Sequence, residues 1–69
     1  MHPSVAHVFQ FFTYEHLPPH LQEVSKPFAE LAKQVAERDK IGNPETTVAL
    51  RKLLESKDAA VRAVVVDRT

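Results

Sequence analysis

The chain has 69 residues with no cysteine, and its nine basic and nine acidic residues give a formal net charge of +0 at pH 7. This composition excludes a disulfide framework and thiolate metal sites, and it argues against a broad basic surface for duplex DNA. A chain this short buries a small core, so we expect one domain over residues 1–69 that gains stability as a homo-oligomer. Its longest apolar run, Ala63 to Val66, is too short to cross a bilayer, and the N-terminus lacks a signal peptide pattern. We therefore expect a soluble, cytoplasmic protein.

Apolar side chains recur at helical spacing near the start of the chain and predict a short amphipathic helix over residues 3–12. These side chains are Val5, Val8, Phe9 and Phe12. So short a helix is marginal alone and needs to dock its aromatic face on another element or subunit. The pattern then breaks before two prolines, so we expect Tyr14 to lie in a turn that leads to the second helix.

A heptad-like apolar row predicts the second helix over residues 18–39. The members of this row follow one another at alternating spacings of three and four: Leu21, Val24, Phe28, Leu31 and Val35. We expect the row to be the core-forming face. Pro27 lies inside this helix, where its ring lacks an amide hydrogen and crowds the carbonyl one turn back, so we expect a kink near residues 23–27.

The single glycine of the chain separates the second helix from the third. Gly42 suits the left-handed geometry of a helix C-terminus, Asn43 can cap the next helix, and Pro44 suits its first turn. We therefore expect the third helix over residues 44–65 to fold back along the second. The predicted fold is all-α: a short N-terminal helix plus an antiparallel helical hairpin.

The third helix carries an apolar arc and a separate charged stripe. The arc contains Leu50, Leu53, Leu54, Val61 and Val64, with Lys57 in its middle, where a buried ammonium needs a partner. The stripe contains Arg51, Glu55, Asp58 and Arg62. We expect this stripe to be solvated or interfacial, with Arg62 as the ion-pair partner of Asp58.

No constellation of residues predicts catalysis, a metal site or a cofactor. His16 and His20 are separated by two prolines, no cysteine can add a zinc ligand, and no serine has the surroundings of a catalytic triad. Three residues have open interpretations. Arg62 can pair with Asp58 or contact a phosphate. Tyr14 can pack as a lid on the hairpin or stack on a planar base, and Lys26 can be a solvated lysine or a phosphate contact.

Two stretches of the chain carry a resemblance to a known family. The first runs from Phe12-Thr13-Tyr14-Glu15-His16-Leu17-Pro18-Pro19 through Val24-Ser25-Lys26-Pro27 to Ala32, and the second runs from Asn43 to Ala63 with the block Arg51-Lys52-Leu53-Leu54. Together they resemble small phage proteins built on the hairpin domain that anti-CBASS cyclic-oligonucleotide sponges share with an anti-Thoeris sponge family. The resemblance covers most of the chain.

The resemblance implies a phage immune-evasion protein that sequesters nucleotide second messengers in the infected bacterial cell without cleaving them. It implies a compact helical oligomer, commonly a hexamer, with cyclic dinucleotides between subunits and, in some members, cyclic trinucleotides in separate pockets. By the same resemblance, Tyr14 would stack on a base and Lys26, or Ser25 one residue earlier, would contact phosphate. Arg62, and less surely Arg51, would serve the phosphates of a second pocket.

An alternative of a different class is a small structural or regulatory hairpin that binds a protein partner. It would use the row from Leu21 to Val35 and the face of Phe11 and Phe12 for protein contacts. Binding of single-stranded nucleic acid is a weaker alternative, because the sequence has neither a basic groove nor a row of aromatic residues.

Overall fold

The computed structural model describes residues 1–67, and these residues form helices and no strand. Helix α1 spans Pro3–Phe9, a 3-10 turn follows at Gln10–Phe12, α2 spans Pro19–Arg38, and α3 spans Pro44–Asp67. Helices α2 and α3 pack against each other as a hairpin, and α1 contacts both. The molecule is elongated, with extents of 43 × 19 × 15 Å. The predicted all-helical hairpin with a short N-terminal helix is confirmed.

Two helix bounds differ from the prediction by more than one residue. The first helix, expected over residues 3–12, is α-helical only to Phe9 and then tightens into the 3-10 turn. Side chains satisfy carbonyls at this end: the Gln10 amide donates to the His7 carbonyl at 2.8 Å, and the Thr13 hydroxyl donates to the Gln10 carbonyl at 2.9 Å. Helix α3 continues to Asp67, beyond the expected end at residue 65.

The hairpin turn has the predicted chemistry. Gly42 has a φ of 77°, in the left-handed region that favours glycine. The Asn43 side-chain oxygen accepts the Glu45 backbone N–H at 2.9 Å, and Pro44 is the first residue of α3. The carboxylate of Asp39 accepts the backbone N–H groups of Ile41, Gly42 and Asn43 at 2.9, 2.8 and 2.8 Å. These bonds fix the direction in which the chain doubles back.

The buried core joins large residues of the N-terminal segment to small residues of α2 and one leucine of α3. Its members are Val5, Val8, Phe12, Ala32, Ala36 and Leu50. Phe28 and Val35 pack against this cluster, whereas Leu31 is 46% exposed. The prediction that Leu31 belongs to the core-forming face is therefore wrong. Helix α2 contacts both α3 and the bulky N-terminal segment, so it turns its small residues inward and its apolar row partly outward.

Helix α2 is continuous from Pro19 to Arg38 across the internal Pro27. The kink at Pro27 and the homo-oligomer stay predictions.

Candidate functional site

A groove of about 390 Å³ opens between the N-terminal segment and α2. We call it the Tyr14 groove. Aromatic side chains and the turn form one wall, and one face of α2 forms the other. The lining residues are Phe9, Gln10, Phe12, Thr13, Tyr14, Glu15, Ala29, Glu30 and Lys33. Tyr14 is half-buried and is one of the residues that line this groove.

Hydrogen bonds hold the turn that presents Tyr14. The Leu17 backbone N–H donates to the Tyr14 carbonyl at 3.0 Å, which closes the turn. The side-chain amide of Gln22, in the first turns of α2, donates to the Leu17 carbonyl at 2.7 Å and to the Glu15 carbonyl at 3.3 Å. Gln22 therefore ties the turn to α2. The sequence analysis did not select Gln22, because nothing in the pattern shows that an amide will reach back over several residues.

The α2 wall of the Tyr14 groove carries one cation, Lys33. Lys33 lines the groove, and its ammonium lies 3.9 Å from the Glu37 carboxylate in an exposed ion pair of little energetic weight. Lys26 is exposed and precedes Glu30 by four residues and Lys33 by seven, so the three side chains share one face of α2. The sequence could have identified Lys33 as a candidate site residue, because it follows Lys26 by seven residues on the same face of α2.

Ser25 is not among the residues that line the Tyr14 groove. It is 2% exposed, and its hydroxyl oxygen has no hydrogen-bond partner among the described residues. A ligand in the Tyr14 groove cannot contact this hydroxyl without movement of the helix. Of the two alternatives for a phosphate contact, only Lys26 presents its side chain to solvent.

Arg62 lines a second groove of about 270 Å³ between the Tyr14 turn and α3. We call it the Arg62 groove. Its lining residues are Phe11, Thr13, His16, Leu17, Lys57, Asp58, Val61 and Arg62. The ammonium of Lys57, whose side chain is 14% exposed, lies 2.9 Å from the Asp58 carboxylate. The prediction that Lys57 needs a partner is confirmed, but the prediction that Asp58 pairs with Arg62 is wrong, because the buried neighbour takes the carboxylate.

Arg51 is exposed on α3 and lines neither groove. The single chain thus brings Tyr14 and Lys33 into one groove, and Lys26, Arg62 and Arg51 do not line it. Within residues 1–67 no group of three histidine, aspartate or glutamate side chains could hold a metal ion. Across the same residues no helix has the length and apolar character needed to cross a membrane.

Comparisons with protein-family models, with curated proteins and with solved structures gave no match to this chain.

Proposed function

We propose that this chain is a phage immune-evasion protein that binds cyclic oligonucleotide second messengers and holds them intact, so that a CBASS-type defence of the host cell is not activated. The observation that supports the proposal is the Tyr14 groove, whose lining combines a partly buried tyrosine with one lysine, Lys33. The sequence resemblance adds its support, since it assigns base stacking to Tyr14 and a phosphate contact to Lys26.

The groove suits a ligand that has both a flat base and a phosphate. An aromatic side chain offers stacking to any base, and an ammonium offers a charge-assisted hydrogen bond to phosphate. Lys26 and Lys33 are seven residues apart, which is about 10 Å along a helix. Two cations at that spacing can serve two phosphates of one cyclic dinucleotide.

The charge of the groove favours a site shared between subunits. Glu15 and Glu30 line the groove beside Lys33, and both carboxylates repel phosphate. The groove of one chain alone therefore carries a net negative charge, because two carboxylates and one ammonium line it. In a homo-oligomer, which we propose to be a hexamer, a neighbouring subunit would add its own cations, and copies of Arg62 and Arg51 would converge on a second pocket for cyclic trinucleotides.

The test is calorimetric titration of the protein with a panel of cyclic dinucleotides and trinucleotides. Tyr14→Ala should weaken dinucleotide binding by about 1–3 kcal/mol, the loss expected when a stacking ring is removed. Tyr14→Phe keeps the ring and should bind nearly as the parent protein does. Lys33→Ala should also weaken binding, whereas Lys52→Ala, an exposed lysine of α3 outside both grooves, should not.

The bound nucleotide must also be recovered. After binding, the protein is denatured and the released nucleotide is analysed by chromatography. Unaltered ligand supports sequestration, and linear products would identify a phosphodiesterase instead.

A second candidate function is binding of a protein partner. It is favoured by the exposure of Phe11, at 52%, and of Leu31, at 46%, which leaves apolar surface uncovered on the single chain. Failure of every cyclic oligonucleotide to bind or to raise the melting temperature would favour this candidate.

A further inference from the structure

The two carboxylates of the Tyr14 groove are not explained by phosphate binding. Glu15 belongs to the turn, and its Oε2 accepts the Tyr14 backbone N–H at 3.2 Å. Glu30 lies on the α2 wall, is exposed, and has no hydrogen bond or ion pair among the described residues. An ionised carboxylate only accepts hydrogen bonds. Glu30 therefore offers two unused acceptor oxygens to a ligand in the groove.

The lysines that share a face of α2 with Glu30 leave its charge uncompensated. Lys33 lines the groove three residues after Glu30, but its ammonium lies 3.9 Å from the Glu37 carboxylate. Lys26, four residues before Glu30, forms no ion pair within residues 1–67. A phosphate placed against Glu30 would be repelled, whereas a hydrogen-bond donor placed there would be bound. The part of the ligand that meets Glu30 must therefore be a donor.

Nucleotide bases differ in the donors that they offer to a carboxylate. On its Watson–Crick edge guanine carries two parallel N–H donors, N1–H and the 2-amino group, which match the two oxygens of one carboxylate. Adenine and cytosine each place an acceptor nitrogen beside their amino group, and that nitrogen repels a carboxylate. Uracil offers a single N–H between two carbonyl oxygens. A charge-assisted bidentate hydrogen bond to a carboxylate therefore favours guanine.

We propose that Glu30 selects guanine, so that the Tyr14 groove takes guanine-bearing cyclic dinucleotides in preference to those that carry only adenine. The base stacks on the Tyr14 ring of one wall, and its Watson–Crick edge meets Glu30 on the α2 wall. Ala29, beside Glu30, also lines the groove, and its small side chain leaves room for this edge. The groove volume of about 390 Å³ exceeds that of one purine base.

This inference rests on the proposed function, because it requires a cyclic dinucleotide in the Tyr14 groove. It adds a base preference, which stacking alone does not give, since every base has a face on which an aromatic ring can stack. Cyclic dinucleotides that bind without any preference among bases would leave the proposed function intact and overturn this inference alone.

The preference is tested by calorimetric titration of the parent protein with cyclic di-GMP and with cyclic di-AMP. These two ligands share one sugar–phosphate ring and differ in their bases. Cyclic di-GMP should bind about 10–100-fold more tightly, which is the discrimination expected of one bidentate contact to a base edge. Equal affinity for the two ligands, or tighter binding of cyclic di-AMP, would overturn the inference.

Glu30→Gln tests whether Glu30 is the cause of the preference. The glutamine side chain has nearly the same size but presents one donor and one acceptor, an arrangement that matches adenine better than guanine. The ratio of the two affinities should therefore fall by about tenfold or more. Loss of the negative charge alone would strengthen the binding of both ligands and leave this ratio as it was. An unchanged ratio would overturn the role of Glu30.

Glu55→Gln is the matched control, because it removes the same charge from an exposed glutamate of α3 that lines neither groove. Its ratio of affinities for cyclic di-GMP and cyclic di-AMP should equal that of the parent. A fall in this ratio as large as that of Glu30→Gln would overturn the assignment of the preference to Glu30. If neither ligand binds the parent protein, the proposed function and this inference both fail.

Discussion

The carboxylate of Asp39 organises the hairpin turn by accepting several backbone N–H groups at once. Partial burial of this carboxyl opposes its charged form, but hydrogen bonds from the Ile41 N–H, the Thr46 hydroxyl and the Gly42 and Asn43 N–H groups outweigh that effect. Together they lower the pKa of Asp39 below its usual 3.8. A charged carboxylate is thus part of the folded turn.

The lowered pKa of Asp39 predicts acid sensitivity. Because the folded-state pKa is the lower one, Asp39 contributes its stability fully above pH 3.8 and loses it as the pH falls through the folded-state pKa. Asp39→Asn should melt at a lower temperature than the parent at pH 7, and the difference should shrink toward pH 3. Thermal melts of both proteins across this range provide the measurement. A difference that does not vary with pH would contradict the assignment.

Gly42 is constrained by its backbone and by its neighbour. Its φ of 77° is unfavourable for other residues, and a Cβ at this position would lie 2.5 Å from the His2 ring. The His2 ring cannot move freely, since its Nδ1 accepts the Ser4 backbone N–H at 3.2 Å and caps α1. Gly42→Ala should cost about 1–3 kcal/mol of unfolding free energy, the usual range for strained backbone.

A His2→Ala background separates the two causes. Removing the ring should relieve the steric part and leave about 1–2 kcal/mol for the left-handed backbone alone. Denaturant unfolding of the parent, the Gly42→Ala and His2→Ala variants and the double variant measures the steric cost and the backbone cost. If Gly42→Ala lowers the free energy of unfolding equally in both backgrounds, the His2 contact contributes nothing to the effect of the substitution.

Sequence reasoning identified local chemistry more completely than contacts that depend on the fold. It predicted the left-handed Gly42, the cap by Asn43 and the need of Lys57 for a partner, because each depends on neighbours within a few residues, but it assigned that partner, Asp58, to Arg62. It did not predict the N–H bonds to Asp39 or the contact of His2 with Gly42. The latter joins the N-terminus to the far end of the hairpin, and no periodicity in the sequence encodes that approach.

Helix α2 buries a polar group that has no hydrogen-bond partner among the described residues. The Ser25 hydroxyl is buried without a hydrogen-bond partner, a condition that costs about 1–3 kcal/mol. Ser25→Ala should therefore raise the free energy of unfolding by about 1 kcal/mol or more, beyond the gain from better helix propensity. Ser56→Ala, at an exposed serine of α3, measures the propensity gain alone.

The same pair of variants bears on the ligand site. Because Ser25 does not face the Tyr14 groove, Ser25→Ala should leave dinucleotide affinity unchanged. A clear loss of affinity with retained stability would mean that the helix moves to expose this hydroxyl when nucleotide binds.

At the level of helices, the apolar row of α2 predicted the helix correctly. It predicted only part of the buried face correctly. Periodicity shows that one side of a helix is apolar, but the third element that docks there decides which part is buried. Here the N-terminal segment takes its place beside Ala32 and Ala36, and Leu31 is left at the edge. For the same reason the Tyr14 groove could not be assembled from the sequence: Lys33 and the aromatic wall come from segments whose packing no local pattern specifies.

The whole molecule has a core too small to cover its own apolar side chains. Leu50 is fully buried, whereas Phe11, Leu31 and Ile41 are exposed at 52, 46 and 78%. A short chain that leaves such residues in water gains stability when copies associate, and that gain depends on protein concentration. In the proposed homo-oligomer, the exposed face of α2 can provide one interface.

Leu50 and Leu31 are therefore predicted to respond differently to truncation. Leu50→Ala removes a fully buried side chain and should cost about 2–5 kcal/mol at every protein concentration. Leu31→Ala should change the stability of dilute protein by less than about 0.5 kcal/mol, as for an ordinary surface site. At high concentration, however, it should remove part of the rise in melting temperature that the proposed association would give the parent protein. Thermal melts at low and high micromolar concentration, with sedimentation at the same concentrations, distinguish the two effects. A large loss of stability for Leu31→Ala in dilute solution would place this side chain in the core of the single chain, and the α2 face would then not be available as an interface.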